Sequence, residues 1–95
     1  MKLTFERSYY LRDVLDEREV KLVLPNNHMT LIKALREFAN RQGMKVAKRI
    51  FGEDGTLLHS IFIMLDGKLI PWINVSTTDV QEDSHIAILP AVSGG

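Results

Sequence analysis

Cysteine is absent from this chain. Without a thiol there can be no disulfide framework, no thiolate metal site and no cysteine nucleophile; stability must come from packing, and a reducing cytoplasm suits such a sequence. A net charge is absent as well, because twelve Lys and Arg offset twelve Asp and Glu. No positive field therefore draws the protein to phosphate backbones or anionic lipid, and neither nucleic acid nor a membrane is expected as a partner. No stretch approaches the roughly 20 consecutive apolar residues of a membrane span, and Met1 to Arg7 lacks the apolar run of a signal peptide. A cytoplasmic location is the expectation. What is present is ordinary for a folded chain: 95 residues, 45% hydrophobic and 25% charged. That is enough for one core but little for an enclosed catalytic cleft. We expect a single domain over residues 1–95, with a flexible tail at 90–95.

Periodicity supplies the elements. Leu3 and Phe5 alternate with Thr4 and Glu6, and Val20, Leu22 and Leu24 alternate with Lys21 and Val23, which predicts two strands with one buried face each. The charged segment Tyr9 to Arg18 between them fits an extended loop or an irregular hairpin, and its conformation is left open. Pro25-Asn26-Asn27 ends the second strand, and Thr30 is placed to cap a helix. In that helix Leu31, Ala34, Leu35, Phe38 and Ala39 form one apolar stripe, and Gly43 closes it. Met44 to Ile50 adds a short helical turn, and Gly52-Glu53-Asp54-Gly55 predicts an exposed turn. Ile61 to Leu65 is apolar without alternation, as in a strand buried on both sides. Asp66-Gly67 then predicts a hairpin into a strand over Lys68 to Ile73, with Pro71 confining that strand to a sheet edge. Ser76 to Ser84 is polar and turn-like, and His85 to Leu89 forms a last strand. The helix needs a sheet face for its stripe, so the order predicts a mixed sheet with one helix across it and the final strand central, beside the first.

Little else in the sequence carries chemistry. His28, His59 and His85 lack the close spacing of a metal pair, and no metal site is expected. Asp13, Asp16, Glu17 and Glu19 read as a solvated charged face rather than an acid–base pair. Gly67-Lys68 and Gly52 to Gly55 lack the spacing of a phosphate loop. Trp72 is assigned to packing in preference to recognition. The end of the chain is different. Leu89-Pro90-Ala91-Val92-Ser93-Gly94-Gly95 places small residues after a strand and finishes in Gly-Gly. A frayed terminus or an expression remnant is the plain alternative.

The order of these features resembles the molybdopterin synthase small subunit, one of the ubiquitin-like sulfur carriers, a family that also resembles the thiamine-pathway carrier. The resemblance rests on the apolar strand Ile61 to Leu65, the Asp66-Gly67 hairpin, the acidic turn within Thr77 to Asp83, the strand His85 to Leu89 and the end Pro90-Ala91-Val92-Ser93-Gly94-Gly95. The capped helix Thr30 to Arg41 and the Glu53-Asp54-Gly55 loop extend it over most of the chain. Asp66 stands where the family has Asn, Ala91 where it has a second Pro, and Tyr9 to Arg18 is longer than usual.

The resemblance implies an α+β, ubiquitin-like β-grasp fold, with a mixed five-stranded sheet and one main helix across one face. It also implies a carrier rather than an enzyme. An ATP-dependent activating enzyme would adenylate the Gly95 carboxylate, and a persulfide sulfur would displace AMP to give a thiocarboxylate. The large subunit of a molybdopterin synthase would then spend that sulfur on a pterin precursor of the molybdenum or tungsten cofactor. No cofactor is expected to be bound, and ATP belongs to the activating enzyme. Gly94 and Gly95 would thread a narrow channel, since neither carries a Cβ. Leu89, Pro90 and Val92 would meet the partner. Two other readings stay open: a modifier joined through Gly95 to lysines, and a β-grasp binding module whose Gly-Gly is incidental.

Overall fold

The alternation at the N-terminus forms β1 (Lys2–Glu6), whose Leu3 and Phe5 face inward; β2 (Glu19–Val23) pairs with it antiparallel, Phe5 opposite Val20. These elements come from a computed structural model, which describes residues 1–91. A short strand β3 (Met29–Thr30) leads into helix α1 (Leu31–Gln42). The Thr30 hydroxyl accepts from the Lys33 amide at 3.4 Å, and Gly43 closes the helix at φ +99°. A single turn α2 (Met44–Ala47) follows, then β4 (Ile61–Leu65), β5 (Lys68–Ile70), β6 (Asp79–Val80) and β7 (His85–Pro90).

The sheet order is β2-β1-β7-β4-β5, with only the β1–β7 pair parallel. This is the expected α+β β-grasp arrangement, with the last strand central and beside the first. The α1 stripe Leu31, Ala34, Leu35, Phe38 and Ala39 is buried. Phe38 stacks on Phe5 of the sheet, ring centroids 4.2 Å apart and nearly coplanar in orientation. Met29 and Val80 pair β3 with β6 in a second, two-stranded sheet that the sequence reading did not foresee.

Four particulars extend or correct the expectation. Tyr9 to Arg18, left open from sequence, forms a 3-10 turn at Tyr9–Leu11 that buries Leu11, and Leu15 is buried after it. Each such burial is worth roughly 1.5–3 kcal/mol. The Arg7 guanidinium donates to the Leu15 and Asp16 carbonyls, and Arg49 donates to the Tyr10 carbonyl and to both carboxylate oxygens of Asp13, so the segment is fastened along its length. β4 is not buried on both sides. Ile61 and Ile63 are buried but Phe62 is exposed, because the single long helix covers only one face of the sheet. β5 ends at Ile70 rather than Ile73: Pro71 has no amide to donate, and the chain turns into a 3-10 turn at Trp72–Asn74.

β7, the fourth, runs one residue past its expected end. Asp66 donates to the His85 carbonyl and Ala91 to the Ser60 carbonyl, so the odd-numbered residues of β7 bond to β4. Pro90 then faces the β1 side, where register stops at Glu6 opposite Ala87, and its missing N–H leaves no bond unmade.

Candidate carrier end and docking face

The central strand β7 divides its side chains between two environments, as its alternation predicts: Ile86 and Ile88 are buried beneath the helix, while Ala87 and Leu89 lie on the open face. Register then assembles their neighbours. Leu89 stands opposite Phe62, Ala87 opposite Met64, and Met64 opposite Leu69 of β5. Phe62 is 41% exposed and Leu69 54%. These five side chains make an apolar patch across three strands, on the face that carries no helix. Beside it Met64, Ala87 and Leu89 line a recess of about 380 Å³, bordered by Glu6, Ser8 and His85. Contiguous exposed apolar surface rimmed by polar groups marks an interaction site.

The hairpin at the other end of β7 fixes the strand's position. Asp66 (φ +51°) and Gly67 (φ +81°) form a tight turn with both central residues left-handed. The Asp66 carboxylate also accepts the His85 amide at 2.8 Å, so Asp66 anchors the hairpin to β7 as well as shaping the turn. His85 lies 3.4 Å from Glu6 on the polar rim. At the exit, Ser8 donates its hydroxyl to the Ile88 carbonyl, and the Ala91 amide bonds Ser60 at 2.8 Å. The chain therefore leaves a strand held from both sides.

Of the residues singled out from sequence, Leu89 lies in the open patch and Pro90 stands opposite Ile61, next to it along β7. Val92, Gly94 and Gly95 lie outside the described residues. Phe62, Met64 and Leu69 were missed as members of the surface. Part of the signal was available, since one long helix cannot cover both faces of a sheet, but which side chains meet on the open face is set by the register of three strands. Trp72, expected to pack within a strand, instead lies in the 3-10 turn and is 41% exposed; its indole N–H donates to the Leu57 carbonyl at 3.1 Å and its ring stacks on His59 at 4.0 Å. Among the described residues no group of three or more His, Asp or Glu is placed to hold a metal ion, and no helix is long and apolar enough to cross a membrane.

Comparison with known proteins brings the tail and the fold together. The ThiS family model matches residues 11–95, from Leu11 through the Gly-Gly. This chain belongs to the ThiS family. Its members are small ubiquitin-like sulfur carriers, proteins that are acted upon and do not themselves catalyse. Among curated proteins no sequence matches this one. Among solved structures the fold is similar to small archaeal modifier protein 1 from Haloferax volcanii, at 21% identity over 100% of both chains with a TM-score of 0.80. The protein of that name from Methanosarcina acetivorans is 23% identical over 99% of this chain and 96% of its own, with a TM-score of 0.77. A putative molybdopterin converting factor, subunit 1, from Pyrococcus furiosus is 16% identical over 96% and 98%, with a TM-score of 0.69.

Proposed function

We propose that this ThiS-family chain carries sulfur as a thiocarboxylate on Gly95. The observation that carries the reading is the family match extending through Gly94-Gly95, a few residues in sequence beyond a strand that contributes to an open apolar patch. A carboxylate oxygen of Gly95 attacks the α-phosphorus of ATP on a separate activating enzyme, and pyrophosphate leaves. The terminal sulfur of a persulfide then attacks the acyl-adenylate carbonyl, AMP leaves, and a thiol cleaves the resulting acyl disulfide to release the thiocarboxylate. Gly94 and Gly95 admit the chain to a confined site because neither has a Cβ. Leu89 and the patch around it seat the partner, and Pro90 and Val92 join that contact. The partners are the activating enzyme and the large subunit of a molybdopterin synthase, which transfers the sulfur to a pterin precursor. This protein itself binds no cofactor.

Likeness of fold to the small archaeal modifier proteins supports a second use of the same adenylate: attachment through Gly95 to lysine amines. The two uses separate in one experiment. Purified thiocarboxylated protein is mixed with synthase large subunit and pterin precursor, and lysine-linked conjugates of the tagged protein are sought in its own cells. Sulfur appearing in the pterin supports the carrier reading. No transfer, with conjugates that vanish on Gly95 deletion, replaces it with the modifier.

A further inference from the structure

The five-stranded sheet has two edges, and they are finished differently. β5 is three residues long and is stopped by Pro71, so it offers little free backbone. β2 is five residues long, and among the described residues no strand lies on its outer side. Its phase is fixed by β1: Arg7 donates to the Arg18 carbonyl and Leu24 to that of Met1. Val20 and Leu22 therefore turn their amides and carbonyls to β1, and Glu19, Lys21 and Val23 turn theirs outward. The same three residues project exposed side chains on the open face.

We propose that this edge pairs antiparallel with β2 of a second copy of this chain, about a two-fold axis through Val20. Three registers pair two or more of the outward-facing residues of β2 with their counterparts. Centred on Lys21, the pair sets two lysines against each other. Centred on Leu22, it puts Pro25, which has no N–H, opposite Glu19. Centred on Val20, it sets Glu19 of each copy opposite Lys21 of the other on the open face, each pair exchanging both of its backbone hydrogen bonds, with Val20 against Val20 beneath. A lysine on an edge ordinarily discourages strand addition; of these three registers, only this one sets it opposite a carboxylate. Glu-x-Lys is its own complement when read antiparallel, so a second copy satisfies the edge with no further requirement. The contact is one strand long, and the dimer is accordingly weak and concentration-dependent.

Sedimentation equilibrium of the full chain at low salt, up to about 1 mM, reads the proposal, because a dissociation constant of that size leaves the protein half associated there. Self-association is expected for the wild type. The symmetry makes one substitution act at both ion pairs, so Lys21→Glu and Glu19→Lys should each weaken association about tenfold or more. The double exchange E19K/K21E should restore it, with thermal melts confirming that every variant is folded. A monomeric wild type throughout that range overturns the proposal. So do single variants that associate as the wild type does, or a double exchange that fails to recover.

Discussion

Replacing Ile63 by alanine and, separately, its neighbour Phe62 tests the assignment of the open face. Ile63 is 2% exposed beneath the helix, whereas Phe62 is 41% exposed on the other side of the same strand. Truncating a fully buried isoleucine costs about 2–5 kcal/mol through lost burial and the cavity left behind. Phe62 keeps much of its ring in water already, and it stands opposite Leu89 in a cross-strand pair, an arrangement worth about 0.2–1 kcal/mol. With partial burial added, Phe62→Ala should cost roughly 1 kcal/mol. A domain of this size loses about 4–8 °C of Tm per kcal/mol. Ile63→Ala should therefore lower Tm by at least about 8 °C, and Phe62→Ala by roughly 4–8 °C. Chemical denaturation with matched m-values checks both. The larger aromatic should prove the cheaper deletion. If Phe62→Ala costs as much as Ile63→Ala, the second face of the sheet is covered, and the docking surface built on it does not exist.

Two further outcomes follow from side chains fixed near the sheet and in the Tyr9 to Arg18 segment. Asp66→Ala loses the acceptor for the His85 amide and places alanine at φ +51°, which should cost about 1–3 kcal/mol in equilibrium unfolding. Asp66→Asn, which keeps an acceptor and tolerates that φ, should stay close to wild type; equal losses would refute the anchoring role. The hydrogen bond from Arg49 holds the Asp13 carboxyl below its ordinary value. A depressed folded-state pKa stabilises above the unfolded carboxylate value and is lost as pH falls through the folded one. The small Tm advantage of wild type over Asp13→Asn should accordingly be full at neutral pH and vanish on acidification from about pH 5 to pH 2. An advantage that grows in acid would contradict the assignment.

Much of the fold was legible because helix and strand periods were each carried by a few residues. The stripe from Leu31 to Ala39, capped by Thr30 and closed by Gly43, and the Asp66-Gly67 turn all stand where the residues placed them. The central position of β7 followed from the same order. Illegible parts depended on what lies across space. Ile61 to Leu65 looks the same whether one face or both are covered, and only the count of helices decides. Charge along Tyr9 to Arg18 hid Leu11 and Leu15, whose burial answers to the core rather than to their neighbours in sequence. The two-residue strands β3 and β6 are too short to leave a period. For the site, Leu89 could be placed on a face by alternation. Its companions Phe62, Met64 and Leu69 required the register of three strands.

Intact mass of the full chain after incubation with ATP, a sulfur source and lysate of its own organism tests the central claim most directly, beside the Gly95 deletion. A gain equal to the difference between sulfur and oxygen is expected, located at Gly95 and confined to the intact chain, with the deletion variant melting as the wild type does. No gain under conditions that thiocarboxylate another carrier of this family would contradict it.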